Sequence, residues 1–197
     1  MSGALAVFLK APRIGTVKTR LASEIGARRA IRLYRVMVAR TLASVCGAGL
    51  DVTVWFTPPE AAAEVRFWLG DRWDLRPQAS GDLGARLSAA ERAVPRGWPW
   101  IAIGVDCPRL TGELLQEAVG IIRSGSVVLG PATDGGYYLI GGTTPLPEVF
   151  TDMPWGTERV LPETRARLQR AGARWRELPE LRDVDTAAAA QAEGLLT

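Results

Sequence analysis

The sequence has 197 residues, 47% of them hydrophobic and 23% charged, with a net charge of +3. This length and composition indicate one globular domain over residues 1–197, and no apolar run is long enough to span a bilayer. The absence of histidine excludes Ser-His-Asp and Cys-His triads and H-E-x-x-H zinc sites, and the distant Cys46 and Cys107 indicate a reducing cytoplasm rather than a disulfide framework.

Strand-like and helix-like segments alternate along the chain. The first half predicts strands over residues 4–9, 52–57, 73–77 and 100–105, and helices over 25–45, 58–69 and 83–93. The second half predicts a helix from the capping residue Thr111 to residue 123, strands over 126–129, 137–140 and 175–178, and helices over 158–171 and 187–196. This alternation predicts an α/β fold with an open, mostly parallel sheet and helices on both faces.

Ligands of such sheets bind outside the carboxyl ends of the strands, so the segments that follow the strands form the candidate site. The first, LKAPRIGTVKTRLA at residues 9–22, contains both lysines of the chain, Lys10 and Lys18, together with Arg13 and Arg20. A strand followed by glycine, basic residues and a helix is a common phosphate-binding arrangement, although the spacing before Lys18 does not fit a Walker A loop. The alternative is a solvated basic loop.

Carboxylates follow two other strands. Asp106, in GVDCP, comes directly after a wholly apolar strand, where it would hold a divalent cation together with nucleotide phosphates, or simply serve as a turn or cap residue. In RDVDT, Asp183 and Asp185 alternate and would point to opposite sides of an extended chain. One of them would reach the crevice, while the other, or Thr186, would cap the last helix.

The stretch GPATDGG suggests an approach for a second ligand. Gly135 and Gly136 follow Asp134 and allow a ligand close to the backbone, although a hairpin turn explains the same residues. Since the chain has no histidine, a general base would be a carboxylate, and Asp134 is the candidate.

Two stretches complete the candidate site. In QASGDLGAR, Gly81, Asp82 and Gly84 could hold a nucleobase or ribose, unless Asp82 is only a helix N-cap. Trp155, at the end of the long Pro/Gly-rich loop 141–156, could line an acceptor pocket, although a packed tryptophan is the more common outcome.

Taken together, these stretches resemble one protein family. The matching segments, in chain order, are FLKAPRIGTVKTRLA, QASGDLGARL, GVDCPRLTGELL, VLGPATDGGYYLIG, MPWGT and LRDVDT. They resemble the DUF2064 group, also called selenodomain-associated transferase 1, within the nucleotide-diphospho-sugar transferase superfamily of Rossmann-like GT-A fold. The resemblance extends more loosely to molybdopterin guanylyltransferase and phospholactate guanylyltransferase.

The resemblance implies a role for each candidate residue. The donor would be contacted along the first loop and the Gly-Asp segment, by Lys10, Ala11, Pro12, Arg13, Gly15, Lys18, Arg20, Gly81, Asp82 and Gly84. A divalent metal ion, Mg²⁺ or Mn²⁺, would be bound by Asp106 and by Asp185 or Asp183. The acceptor would be faced by Asp134, Gly135, Gly136 and Trp155. Catalysis would then depend on Asp106, Lys18 and Asp134.

The predicted function is a metal-dependent transferase that uses a nucleotide-activated donor. Glycosyl transfer from a nucleotide sugar to a small molecule is the first hypothesis. Nucleotidyl transfer from a nucleoside triphosphate to a phosphorylated small molecule is the second, and a nucleotide-binding module without catalysis is the third. The scattered arginines predict no nucleic-acid partner.

Overall fold

Seven strands lie side by side in one open sheet, in the order β3-β2-β1-β4-β6-β5-β7. They are β1 (Ala4–Lys10), β2 (Asp51–Thr57), β3 (Asp74–Pro77), β4 (Trp100–Ile103), β5 (Val127–Pro131), β6 (Tyr137–Gly142) and β7 (Trp175–Glu177). The computed structural model describes residues 3–143 and 145–196. Only β6 runs antiparallel to its neighbours among these strands, and every other adjacent pair is parallel. The predicted open, mostly parallel α/β sheet is confirmed.

The helices connect the strands and cover the sheet. They are α1 (Thr19–Ile25), α2 (Ala27–Cys46), α3 (Ala62–Leu69), α4 (Leu83–Arg92), α5 (Gly112–Arg123), α6 (Pro147–Phe150), α7 (Val160–Arg170) and α8 (Ala187–Ala192). A 3₁₀ turn, Pro59–Ala61, precedes α3. Within residues 3–143 and 145–196, none of the helices combines the length and the hydropathy that crossing a bilayer requires.

The sequence pattern did not predict α1. This helix has seven residues and ends at Gly26, whose φ of 86° breaks the run before α2 begins. Gly26 alone separates α1 from α2, so the sequence shows no loop between the two helices. In addition, the seven residues of α1 are too few to show a clear helical period. The predicted helix over 25–45 therefore corresponds to α2 alone, and the predicted loop 141–156 contains the short helix α6.

Both faces of the central strands are buried, because alternate residues point to opposite sides. On β1, Leu5, Val7 and Leu9 pack with side chains of α2 and α5, while Ala6 and Phe8 pack with those of α4, α6 and α7. Helices on both faces are thus confirmed. This double cover leaves the ends of the strands as the place where polar groups reach solvent.

One carboxyl group lies inside the second of these layers. Glu91, on α4, is only 7% exposed, and its Oε1 accepts a hydrogen bond of 3.1 Å from the backbone N–H of Leu146, just before α6. Burial raises the pKa of Glu91 to about 7, and the Leu146 hydrogen bond and the charge of Arg92 offset this only in part. The folded protein therefore holds a proton on Glu91 that the unfolded chain releases near pH 4.5.

We expect Glu91→Gln to flatten the pH dependence of stability. Since the pKa of Glu91 is higher in the folded state, its favourable contribution is complete below about pH 4.5 and is lost as the pH rises through 7. Between pH 5 and pH 8 the wild type should lose about 1–3 kcal/mol relative to the glutamine variant, measured by thermal unfolding at each pH. Parallel pH profiles for the two proteins would contradict this expectation.

Candidate active site

The carboxyl ends of the parallel strands border one groove with a volume of about 790 Å³. The loops that follow β1, β3, β4, β5 and β7 contribute lining residues, among them Lys18, Gln78, Asp106, Asp134 and Asp185, and β2 contributes its last residue, Thr57. Because β6 runs in the opposite direction, its first residues, Tyr137 and Tyr138, lie at the same edge. The topological rule that placed the candidate site after the strands therefore agrees with the position of this groove.

The ammonium group of Lys18 lies at the centre of the charged part of the groove. Its Nζ is 2.6 Å from Oδ1 of Asp106 and 2.7 Å from Oδ1 of Asp185, and its side chain is only 4% exposed. Burial lowers the pKa of Lys18, but the two carboxylates outweigh this effect, so that the net pKa is raised. Lys18 thus stays positively charged between two aspartates that are distant from it in the sequence.

The backbone conformation at Lys18 fixes the point from which its side chain starts. Lys18 is the residue before the first turn of α1 and has a φ of 50°, in the left-handed region that residues other than glycine seldom adopt. Val17, next to it, is buried in the main core. The side chain therefore starts from an anchored backbone and runs inward towards the carboxylates.

Asp106 and Asp185 are held together by their loops. The backbone N–H of Val184 donates a hydrogen bond of 2.9 Å to the carbonyl of Asp106, and Val184 itself is fully buried. With Val184 pointing inward, its two neighbours point elsewhere. Asp185 reaches Lys18, whereas Asp183 accepts a hydrogen bond of 2.9 Å from the hydroxyl of Thr133.

The same segment supplies the cap of the last helix. The hydroxyl of Thr186 accepts a hydrogen bond from the backbone N–H of Ala189, in the first turn of α8. The geometry places Asp185 beside Asp106 and Thr186 at the cap. Asp183 pairs with Thr133 and also lines the groove, so both aspartates reach it rather than one.

The carboxylates of the groove offer a partial set of ligands for a divalent cation. No cluster of three or more Asp, Glu, Cys or His side chains suited to a metal ion occurs among the described residues. Yet Asp106 and Asp185 each direct one oxygen at the same cationic nitrogen. Two carboxylates fit Mg²⁺ or Mn²⁺ where substrate phosphates and water complete the coordination, which is how nucleotide-processing enzymes usually bind these ions. The residues present therefore fit a metal ion that is shared with a phosphorylated ligand.

The basic loop is divided between the groove and the outer surface. Lys10, Lys18 and Arg20 line the groove, whereas Ala11, Pro12, Arg13 and Gly15 are not among its described lining residues. The guanidinium of Arg13 pairs instead with Glu60 at 3.3 Å and with Glu64 at 2.8 Å. One of the four basic residues, Arg13, thus ties the loop to the 3₁₀ turn and the start of α3.

At the start of α4, Asp82 takes the alternative role that the sequence left open, that of a helix N-cap. The carboxylate of Asp82 accepts a hydrogen bond of 2.8 Å from the N–H of Ala85 and is the N-cap of α4. Gly81 has a φ of 103°, and Gly84 is buried against the loop that follows α6. None of the three is among the described residues that line the groove.

Two neighbours of that segment line the groove and were not singled out from the sequence. Gln78 is 8% exposed, and its amide donates to the carbonyl oxygens of Leu9 at 3.1 Å and Trp55 at 2.9 Å. Arg86 donates to the carbonyl of Gly81 and to the side-chain oxygen of Gln78. In the sequence, the signal for Gln78 was a polar residue directly after a predicted strand. A polar group that is buried at such a position must find hydrogen-bond partners.

The close contact of Gly84 has a measurable consequence. A Cβ atom at this position would overlap the carbonyl oxygen of Phe150 and lie 3.2 Å from Cζ2 of Trp155. We expect Gly84→Ala to lower stability by about 1–3 kcal/mol, or roughly 2–10 °C in Tm, because the backbone of Phe150 would have to move. Thermal unfolding measures this directly.

Gly47→Ala is the matched control. Gly47 also lies at a helix end, with a φ of −93°, and no atom lies within 4 Å of the position that its Cβ would take. The control should therefore leave Tm almost unchanged. Equal Tm values for the two variants would show that the loop after α6 accommodates the added methyl group at little cost.

Asp134 lies among the other carboxylates of the groove. Its Oδ1 accepts a hydrogen bond of 2.8 Å from the N–H of Gly136. Partial desolvation raises the pKa of Asp134, the Gly136 hydrogen bond lowers it in part, and the charges of Asp183, Asp185 and Asp106 raise it further. The net rise makes Asp134 a better proton acceptor than an isolated aspartate.

The wall beside Asp134 is formed by aromatic side chains and a tight turn. The rings of Tyr137 and Trp155 meet edge to face, with centroids 6.3 Å apart, and both residues line the groove. Gly135 does not line it. With a φ of 84°, Gly135 packs so closely on Glu158 that a Cβ would lie 2.5 Å from the Cα of that residue. The turn thus presents Asp134 and Gly136 to the groove by pressing Gly135 against the opposite loop.

Comparison with known proteins identifies the family and supports the fold. The family described as an uncharacterized protein conserved in bacteria, DUF2064, matches residues 41–157. The crystal structure of a "putative nucleotide-diphospho-sugar transferase" from Desulfovibrio desulfuricans G20 is 33% identical, with a TM-score of 0.88 over 94% of this chain and 84% of that chain.

More distant structures share the fold. Rv0371c from Mycobacterium tuberculosis H37Rv, in complex with manganese, is 20% identical, with a TM-score of 0.61 over 99% of this chain and 98% of that one. A nucleotidyl transferase from Methanothermobacter thermautotroptrophicus, Mth528, is 16% identical, with a TM-score of 0.64 over 98% and 96% of the two chains. No curated protein matches the sequence. Since the family model matches more than half of the chain and a solved relative is 33% identical over nearly all of it, the chain belongs to the DUF2064 family, as its motifs predicted.

Proposed function

We propose that this protein is a metal-dependent glycosyltransferase that moves a sugar from a nucleotide-sugar donor to a small hydroxyl-bearing acceptor. The observation that carries the proposal is the convergence of Asp106 and Asp185 on one cationic position, beside the basic side chains of Lys10, Arg20 and Arg86 in the same groove. Carboxylates for a shared cation next to basic groups for phosphates are the features that a nucleoside-diphosphate donor requires. The 33% identical relative is described as a nucleotide-diphospho-sugar transferase, which is the same class.

Each residue then has a chemical task. Asp106 and Asp185 hold a divalent ion against the donor, and Lys10, Lys18, Arg20 and Arg86 offset phosphate charge. The bound ion supplies Lewis-acid stabilisation of the charge that grows on the leaving phosphate. Asp134 takes the proton of the acceptor hydroxyl, a role that its raised pKa favours.

Nucleotidyl transfer is the second candidate, because the same basic groups and carboxylates would serve it. In that reaction a nucleoside monophosphate moves and pyrophosphate leaves, and a phosphorylated acceptor is required. The surroundings of Asp134 favour the first candidate, since Asp183 and Asp185 lie close enough to raise the pKa of Asp134 and would repel a phosphorylated acceptor. A neutral acceptor meets no such penalty.

Thermal-shift measurements test the proposal. We expect a nucleotide sugar, screened across bases and sugars, to raise Tm in the presence of Mn²⁺ and to raise it much less in EDTA, because a ligand that binds only the folded state stabilises it. With the donor known, release of a nucleoside diphosphate indicates glycosyl transfer, and release of pyrophosphate from a nucleoside triphosphate indicates nucleotidyl transfer. The absence of any shift with all nucleotides would contradict both candidates.

Turnover separates these from a binding module without catalysis. A nucleotide-dependent rise in Tm with no product from any acceptor tested would favour the module. Asp134→Asn offers a matched check, since it keeps the size of the side chain and removes its charge and its capacity to accept a proton. We expect it to preserve the donor-induced Tm shift and to lower turnover.

A further inference from the structure

Lys18 lies where a metal ion shared by the two aspartates would lie. Its ammonium nitrogen contacts Oδ1 of Asp106 and Oδ1 of Asp185 at 2.6 and 2.7 Å, which are the oxygens that a divalent ion would need. A metal ion bound by both carboxylates would therefore compete with the Lys18 ammonium for the same oxygens. In the free protein one positive charge from within the chain is thus shared by the two carboxylates and offsets part of their negative charge.

The surroundings of Lys18 leave few alternatives to this position. The side chain is 4% exposed and begins at a backbone anchored by the left-handed conformation before α1. If the ammonium left the carboxylates without a new partner, it would be a buried, unpaired charge, which costs several kcal/mol in general. Its departure therefore requires another anion within reach of the groove.

The donor would bring that anion. Lys10, at the end of β1, and Arg20, in α1, also line the groove, so phosphates bound there lie beside Lys18. A lysine side chain is a compact charge on a flexible four-carbon stem, and it can change partners by rotation about its own bonds. Asp106 and Asp185, whose side chains are 52% and 40% exposed, then become available to a metal ion.

We propose that Lys18 exchanges Asp106 and Asp185 for the phosphates of the donor when a divalent ion binds, so that metal and donor enter the site together. This inference rests on the proposed function for the identity of the anion. It goes beyond that function in assigning Lys18 a placeholder role: its ammonium group occupies the two carboxylates and prevents metal binding until a phosphorylated ligand binds. Reciprocity requires that the metal strengthens donor binding by the same factor by which the donor strengthens metal binding.

The first test measures Mn²⁺ alone, by the loss of the electron paramagnetic resonance signal of the free ion. The wild type should bind Mn²⁺ weakly, and Lys18→Met, which keeps an unbranched side chain one atom shorter and removes its charge, should bind it at least about tenfold more tightly. Lys10→Met is the matched control, because it removes the same charge from the only other lysine, which forms no ion pair among the described residues. Lys18→Met combined with Asp106→Asn should lose the gain.

The second test is measured on the wild-type chain, and a variant of Lys10 alone serves to assign the resonances. The sequence has only two lysines, so lysine labelled with ¹³C at Cε gives two resonances, assigned with Lys10→Arg. Mg²⁺ alone should leave the Lys18 resonance in place, whereas Mg²⁺ with inorganic pyrophosphate should shift it. A rise in Tm under the same conditions verifies that the probe has bound.

The results separate this inference from the proposed function. If Lys18→Met binds Mn²⁺ no more tightly than the wild type does, or if the Lys18 resonance stays fixed while pyrophosphate and Mg²⁺ raise Tm, the exchange is wrong and the proposed function stands. If no nucleotide binds at all but Lys18→Met gains Mn²⁺ affinity, the proposed function is wrong and the placeholder role of Lys18 stands.

Discussion

Asp106→Asn is expected to abolish the metal-dependent part of donor binding. The substitution keeps the size of the side chain and removes the charge that a divalent ion needs, and Asp106 is one of two carboxylates that converge on a single cationic position. We expect donor affinity in Mn²⁺ to fall by at least about 100-fold, towards the value measured in EDTA. Loss of a group that only orients a metal ligand typically costs about 10- to 100-fold, and loss of the ligand itself should cost more. Titration calorimetry with and without Mn²⁺ measures the difference.

A series of three asparagine variants sharpens this prediction. Asp185→Asn should behave as Asp106→Asn does, since both carboxylates contact the same ammonium group. Asp183→Asn is the matched control from the same segment, because its carboxylate accepts from Thr133 rather than contacting Lys18. An unchanged metal dependence in Asp106→Asn, or its loss in Asp183→Asn but not in Asp185→Asn, would move the metal site elsewhere in the groove.

The topology of the sheet explains why the position of the groove could be predicted from the sequence. A parallel strand delivers the next loop to the same edge of the sheet wherever it lies in the chain, so strand prediction alone brings Asp106, Asp134 and Asp185 together. Each of these three residues lines the groove. The strand pattern did not reveal the strand order, and hence the antiparallel β6, because pairing depends on contacts between distant segments rather than on local periodicity.

The direction of individual side chains could not be predicted in the same way. Arg13 and Lys18 belong to one basic loop, yet one pairs with α3 on the outside and the other with carboxylates in the groove. The contact of Lys18 with Asp185 joins residues 167 positions apart, and no local pattern encodes it. Gly84 was expected near a nucleotide, and its small size is required instead by the backbone of Phe150.

This division of the basic loop predicts unequal effects on donor binding. Lys18→Ala should weaken donor affinity by about 10- to 100-fold, since a hydrogen bond to a charged group contributes about 1.5–3 kcal/mol. Arg13→Ala should change it by less than about threefold, because its guanidinium is already paired with Glu60 and Glu64 and is not among the described residues that line the groove. Calorimetry with the donor identified by thermal shift, at saturating Mn²⁺, gives both values.

The comparison is informative because the two residues share a loop and a charge. Arg13→Ala controls for the loss of one positive charge from the surface, so a larger effect of Lys18→Ala must come from its position in the groove rather than from net charge. High salt should reduce any residual effect of Arg13, whose partners are exposed, more than that of the buried Lys18. Small and equal effects of the two substitutions would contradict phosphate binding by Lys18. The lysine would then serve only as the ion-pair partner of Asp106 and Asp185.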